Sequence, residues 1–479
     1  MRILNDSGAL TLMVTLILAA ILIFENIFLV SAKEREIEWQ LGQLTDQTGD
    51  WVLAAYDRDL LEQWGLYAYS ATKVSNFKMS ELSLPLAEIQ DRFSLDIQFK
   101  DKLSSVDILE RQILNYITPL YPKLLNELKT LLNAGQDLTG VPSDQEGLTG
   151  LLSRSDSVSQ AASALNGLKD KWPEYAAGDH GASGVQDPDL TEEQEDLSVD
   201  LLKLIFQQEP AEVQTAALPA LWQTGNLEQS IDKILQSLSQ AETLLQAAQR
   251  ISQYAFPVQL YSLWQSTCQL NGSDAAQSTS AKQKALSLRG QDLDKIADQY
   301  PLELEYLTSG MEQLSARKSA ANLQVYTVRL LLNCLSLLKS EPEMQKLERM
   351  AEVARIMVLL VSLGEVQVPA SAIKWLLFLI KANTQAYADW QELIAGKTVN
   401  LLIYQPEQKL AADYRLHLLP YLLIQSEDEL LKRLYTVIHQ RCPGEWFNQV
   451  DVTLNYQTAY GLKRGLQQSF SYISAPESS

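Results

Sequence analysis

The one long apolar run in the chain is Ala9 to Ala32, ALTLMVTLILAAILIFENIFLVSA. As a helix its 24 residues rise about 36 Å, more than the hydrocarbon thickness of about 30 Å. Glu25 and Asn26 interrupt the run. The uninterrupted part, Ala9 to Phe24, rises only about 24 Å, which puts Glu25 toward one interface. That position avoids most of the cost of about 2.5–3.5 kcal/mol for a charge at mid-bilayer. Two readings of Glu25 stay open: an interfacial residue, or a carboxylate that with Asn26 contacts a partner helix inside the membrane. Val30-Ser31-Ala32 resembles a signal-peptide cleavage site, but the run is long for a signal and Arg2 is the only basic side chain before it. A retained anchor is therefore expected. Beyond it, Ile37, Leu41, Leu44, Thr48, Val52 and Ala55 recur at spacings of 3 and 4, so an amphipathic helix is expected to continue from the membrane. The resulting division is a short leader at 1–8, a transmembrane helix at 9–32 and an amphipathic extension at 33–72.

Phe93, Leu95, Ile97 and Phe99 alternate with polar residues, which predicts a half-buried strand. Val450, Val452, Leu454 and Tyr456 alternate in the same way, as do Phe470 and Tyr472. These three segments are expected to form one small antiparallel sheet. A helix is predicted over Asp107–Leu132, interrupted at Pro119 and Pro122. Further helices are predicted at Ala281–Gln299, Leu302–Leu314, Leu323–Leu338, Glu343–Leu363, Ser371–Ile394 and Glu427–His439. Leu227, Ile231, Ile234, Leu238, Ala241, Leu245 and Ala248 mark about three heptads, read as an internal helical hairpin, with a partner helix from another subunit as the alternative. The run Trp375 to Ile380 is too short to span a bilayer and belongs in a core. The fold class is mainly α with a small antiparallel β-sheet. Its parts after the anchor helix are 73–135, an acidic insert at 136–200, and a mainly helical region with C-terminal strands at 201–479.

Charge sharpens this picture. The 479 residues include 39 basic and 59 acidic side chains, a net charge of −20. Such a balance argues against nucleic acid as a partner. Residues 136–200 carry 7 of the 21 glycines and a net charge of −11, which predicts a flexible, solvated insert. Within it, Thr191 and Gln194 have capping-box spacing. The three cysteines, Cys268, Cys334 and Cys442, are too few and too scattered for a disulfide scaffold or a zinc cluster. Only His180, His417 and His439 offer imidazoles, and no phosphate-binding loop, H-E-x-x-H or C-x-x-C occurs. His180 lies in GDHGASG, which lacks the spacing of a nucleophile elbow. Asp57 and Asp59 point apart on a helix, so a helix-surface or capping role is expected of them rather than metal ligation. Asp187, Asp189, Glu192, Glu193, Glu195 and Asp196 lack the central glycine of a calcium loop. Glu305 and Tyr306 are read as a buried polar contact. No catalytic, metal or cofactor site is expected.

GALTLMVTLILAAILIFENIFLV followed by YDRDLLEQWGLYAY resembles the N-terminal module of TadE/TadG-like membrane-anchored proteins. These belong to tight-adherence (Tad) pilus and type II secretion-like loci of Firmicutes. ILERQILNYI (108–117), LEYLTSG (304–310), NLQVYTVRLLLN (322–333), the segment 375–402, DYRLHLLPYLL (413–423) and LLKRLYTVIHQ (430–440) resemble the uncharacterised ectodomain of that family. The resemblance implies a single-pass cell-membrane protein with its large domain outside, partnered by the bilayer and by pilus or secretion-system membrane proteins. It implies no enzymatic activity, and a homo-oligomer is compatible with it. A helix half in lipid and half in a globular head is the shape of a pilin subunit. Prepilin-type processing would cut between Gly8 and Ala9, but the fifth residue after that cut is Met13 where pilins carry a glutamate. A cell-surface adhesion or binding protein unrelated to pili is the alternative, and an extracellular hydrolase is a third reading.

Overall fold

A computed structural model describes residues 6–74, 93–120, 154–165, 234–235, 256–269, 296, 298–362, 366–401, 403–404, 411–458 and 462–472. The architecture is α+β: long helices, one small antiparallel sheet and an apolar N-terminal helix. The chain divides into two units, residues 1–116 with 438–479, and residues 117–437.

In the first unit, α1 (Asp6–Ala54) is one helix of 49 residues. Its C-terminal half buries the seam expected from the spacing: Leu41, Leu44, Thr48 and Val52 are fully buried. The hydroxyls of Thr45 and Thr48 bond back to the carbonyls of Leu41 and Leu44, at 2.9 and 2.7 Å, so neither is left unsatisfied. The helix stops at Ala54 and does not reach residue 72 as the sequence suggested. Asp57 competes for the next turn. Its carboxylate accepts from the backbone N–H of Asp59 and Leu60, both at 3.1 Å, and opens a separate helix, α2 (Arg58–Trp64). Gly65 closes α2 in the left-handed region, φ 73°, where a β-carbon would strike the Tyr116 ring. The strand β1 (Tyr69–Ser70) and the short helix α3 (Ala71–Val74) follow.

The strand β2 (Phe93–Lys102), the helix α4 (Val106–Ile117) and two C-terminal strands complete this unit. β2 pairs antiparallel with Trp446–Gln457, with Leu95 opposite Leu454 and Ile97 opposite Val452. That strand is central and also pairs antiparallel with Lys463–Ser471 and with β1. All three predicted alternating segments therefore join one sheet. Their apolar faces receive the seam of α1: Leu41 and Leu44 meet Leu454 and Tyr456, and Val52 meets Val450 and Val452. α4 ends two residues before Pro119, as the restriction on residues preceding proline predicts. Residues 118–120 form a turn, and the predicted helix from 121 to 132 lies outside the described residues.

The second unit contains α5 (Pro257–Gln265), α6 (Glu303–Ser309), α7 (Leu314–Leu338), α8 (Glu341–Val361) and α9 (Ala370–Ile394). A two-strand ladder, β3 (Val399–Asn400) with β4 (Ala411–Ala412), and α10 (Tyr414–Leu423) come next. α11 (Glu427–Arg441) ends in the first unit, as its residues from Ile438 belong there. The C-terminal strands already described are β5 (Trp446–Gln457) and β6 (Lys463–Ser471).

In the second unit two helix boundaries differ from the sequence reading by more than two residues. α6 stops at Ser309 because Gly310 takes φ 69° and caps it, and α7 begins nine residues before Leu323. No glycine or proline interrupts Leu314–Leu338, so nothing delays that helix. The acidic insert is also not wholly unstructured. Residues 155–165 are helical and bury Val158, Ala161, Ala162 and Leu165, an i, i+3, i+4, i+7 face that its net charge concealed. The remainder of the insert and the region 270–295 lie outside the described residues, as does the heptad seam apart from Ile234, which is buried beside Leu235.

α9 packs on both α7 and α8. Trp375 to Ile380 is core, all at or below 5% exposure. Lys374 and Lys381 bracket it and reach Glu348 and Glu343 on α8. Deeper in, Arg329 on α7 is fully buried and paired with Asp389 on α9. Asn333 donates to the same Asp389 oxygen at 3.0 Å, and Gln385 donates to the other at 2.8 Å. Arg329 also donates to the Asn400 carbonyl of β3 at 3.1 Å.

Candidate functional site

The two halves of α1 treat their apolar residues in opposite ways. From Leu12 to Leu29 the large apolar side chains are all exposed, Leu12 at 64%, Phe24 at 72% and Phe28 at 68%. Exposure on every side of a helix this apolar fits contact with hydrocarbon. Thr11–Ala54 is the one helix among the described residues long and apolar enough to cross a membrane. Glu25 and Asn26 are exposed within this segment. Gly8 and Ala9 lie inside the helix, whose backbone runs through the proposed cut without a break. Met13 is exposed.

Where the exposed half gives way to the buried half, a groove of about 180 Å³ opens between α1 and the sheet. Val30, Glu34, Ile37 and Leu41 form one wall, at helical spacings of 4, 3 and 4. Phe93 and the end of β5, Tyr456 to Thr458, form the other. Glu38 is fixed in place by the Tyr456 hydroxyl, which donates to it at 2.8 Å, and by Arg464 of β6. Glu34 differs: its Oε1 is buried and accepts no hydrogen bond. The sequence marked this face only as a continuing amphipathic seam. Glu34 falls on that seam, but the residues opposite it come from the far end of the chain and carry no local signal.

The second unit holds a different polar cluster. Glu303 accepts from the Thr267 N–H at 2.8 Å, and Glu305 from the Gln269 N–H at 2.7 Å. Glu305 is fully buried. Burial pushes its carboxyl up to about 7, opposed by the Gln269 N–H, the Tyr414 hydroxyl and the Arg415 charge. Of the buried polar contact read for Glu305 and Tyr306, the structure shows the part of Glu305. Tyr306 is half-buried and lies under the Arg317 guanidinium at 4.5 Å. His417 is buried, with Nδ1 2.6 Å from the Asp413 carbonyl. Burial pushes its imidazole down to about 3, so it is neutral in the folded state. In the first unit, His439 meets the Trp446 ring edge-on.

All three cysteines are buried and none is in a disulfide. Among the described residues, no three of His, Cys, Asp and Glu converge in a metal-binding group. His180, the acidic run from Asp187 to Asp196 and the Thr191–Gln194 spacing lie outside the described residues. Compared with family models, curated proteins and solved structures, the chain matches none.

Proposed function

We propose that this chain is a non-enzymatic, membrane-anchored structural or assembly component of a Tad-like pilus or secretion apparatus, with its large acidic domain outside the cell. The observation that carries the reading is the division of α1. One unbroken helix has an N-terminal half apolar on all sides and a C-terminal half that lays a single seam on an antiparallel sheet. That combination makes an anchor rigidly continuous with a globular head, which suits lateral assembly of helices in a membrane. The exposed Glu25 and Asn26 add a reason for partners: a carboxylate and an amide facing lipid are costly, and a neighbouring helix can satisfy them.

Shearing of native cells, followed by immunoblotting of the filament and membrane fractions, tests the reading. Recovery in filaments, with residues 1–8 removed, makes this a processed subunit in spite of Met13. Retention in the membrane at full length makes it a stationary assembly factor. Release into the medium without residues 1–32 overturns the anchor. Glu25→Leu is expected to lower recovery of co-purifying membrane proteins while leaving the folded domain unchanged, and unchanged recovery removes Glu25 from the partner contact.

A further inference from the structure

The groove between α1 and the sheet lies at a defined height on the anchor. Thr11 to Val30 is 20 residues, which as a helix rises about 30 Å and fills the hydrocarbon. Val30 to Glu34 rises about 6 Å more. Each headgroup layer adds about 5–7 Å to the hydrocarbon. The groove, which runs from Val30 to Leu41, therefore opens at headgroup level when α1 spans the bilayer.

Its chemistry is specific. The walls are apolar at Val30, Ile37, Leu41 and Phe93, and Lys33, Gln457 and Thr458 line it with the two glutamates. The buried Glu34 Oε1 is an acceptor without a donor, and leaving such an oxygen unsatisfied costs about 1–3 kcal/mol or more for a charged group. Glu38 is already answered by Tyr456 and Arg464. A volume of about 180 Å³ accepts a guest slightly larger than benzene, which occupies an engineered cavity of about 150 Å³. Lys33 lines the same groove but gives the Glu34 Oε1 no hydrogen bond, so the group that fits there is a small cationic donor delivered from the membrane side.

We propose that the groove binds the ethanolamine headgroup of a bilayer phospholipid, its ammonium donating to Glu34 and its acyl chains lying along the exposed apolar side chains Phe24, Ile27 and Phe28. A primary ammonium supplies three donors. A choline headgroup supplies none, and its methyl groups cannot satisfy the carboxylate. The selectivity is therefore for ethanolamine over choline. It rests on the anchor reading above and is independent of what the outer domain assembles with.

The test uses the full chain in vesicles of equal parts ethanolamine, choline and glycerol phospholipids. Flotation after an alkaline wash first reports insertion. Native mass spectrometry then reports which lipid stays bound. The expected result is insertion with one ethanolamine lipid retained at least tenfold over choline, and loss of that preference in Glu34→Gln with an unchanged melting temperature. A photo-crosslinking residue in place of Ile37 is expected to give a lipid adduct. Insertion with equal retention of the lipids, an unchanged preference in Glu34→Gln, or an Ile37 crosslink to a protein chain overturns the proposal, the last making a partner's basic side chain the occupant. Failure to insert overturns the anchor reading itself.

Discussion

Burial acts in opposite directions on two side chains of the second unit, and the opposition is measurable. Glu305 has a folded-state value near 7 against an ordinary 4.5. Between those values the folded chain holds a proton that the unfolded chain has lost, so stability falls as pH rises. His417 has a folded-state value near 3 against 6.5. Between those values the unfolded chain holds the extra proton, so stability rises with pH. Each slope is about 1.4 kcal/mol per pH unit at most. Across pH 4.5 to 6.5 both windows are open and the two slopes offset each other. Glu305→Gln removes one of them. Relative to the wild type, its stability is expected to climb with pH across that window, by about 2–3 kcal/mol in all. His417→Asn is expected to tilt the other way. Thermal unfolding of the detergent-solubilised chain at half-unit pH steps reads both, and parallel pH profiles for the wild type and Glu305→Gln would show that Glu305 does not hold its proton.

At the scale of elements, two glycines of α1 separate helix propensity from packing. Gly42 has open space where a β-carbon would stand, whereas at Gly49 that atom would lie 2.3 Å from the Phe470 ring of β6. Gly42→Ala is expected to stabilise by about 0.5–1 kcal/mol through the unfolded chain and helix propensity. Gly49→Ala gains the same propensity but must displace an aromatic ring, and a net loss of about 1–2 kcal/mol is expected. Thermal melts of the two variants should therefore move in opposite directions. The α7–α9 contact offers a second contrast. Asp389→Ala leaves Arg329 charged and buried, with an expected loss of about 3–5 kcal/mol, while the double change Arg329→Met with Asp389→Leu is expected to recover most of it. If the double variant melts no higher than Asp389→Ala, the pair is worth more than its desolvation cost. Much of this level was legible in the sequence. The seam from Ile37 to Ala55 and the alternations at 93–99 and 450–456 named the faces that now touch. The break after Ala54 was not legible as a boundary, because Asp57 reads equally well as a helix-surface residue until its carboxylate is seen capping α2. The helix at 155–165 was hidden for a different reason: a segment-wide charge excess masks a four-residue apolar face.

Across the whole molecule, the alternating segments at 93–99, 450–456 and 470–472 were legible as one sheet, but the order of the strands within it was not. β2 ends at Lys102, and the strand that pairs with it begins at Trp446. Period-2 alternation fixes which side chains share a face, yet it says nothing about which strand lies next to which. For the same reason the groove at Glu34 could not be foreseen: one wall is a helix near residue 34 and the other a strand near residue 456. This closure makes the first unit dependent on its C-terminal strands. In a chain stopped after Glu445, β2 loses its partner, and Leu41, Leu44 and Val52 lose the face that buries them. α1 then has no reason to stay protected beyond the membrane, since a lone amphipathic helix draws its stability from packing. Limited trypsin digestion of the vesicle-bound truncated chain is expected to cut rapidly at Lys33, Arg35, Arg58 and Lys100. The α7–α9 region, whose core lies wholly within the second unit, is expected to remain resistant, and the segment before Lys33 to remain with the vesicles. Protection of Arg58 and Lys100 equal to that in the full chain would mean that the helix and β2 hold together without β5, and that the sheet does not anchor the head to the membrane helix.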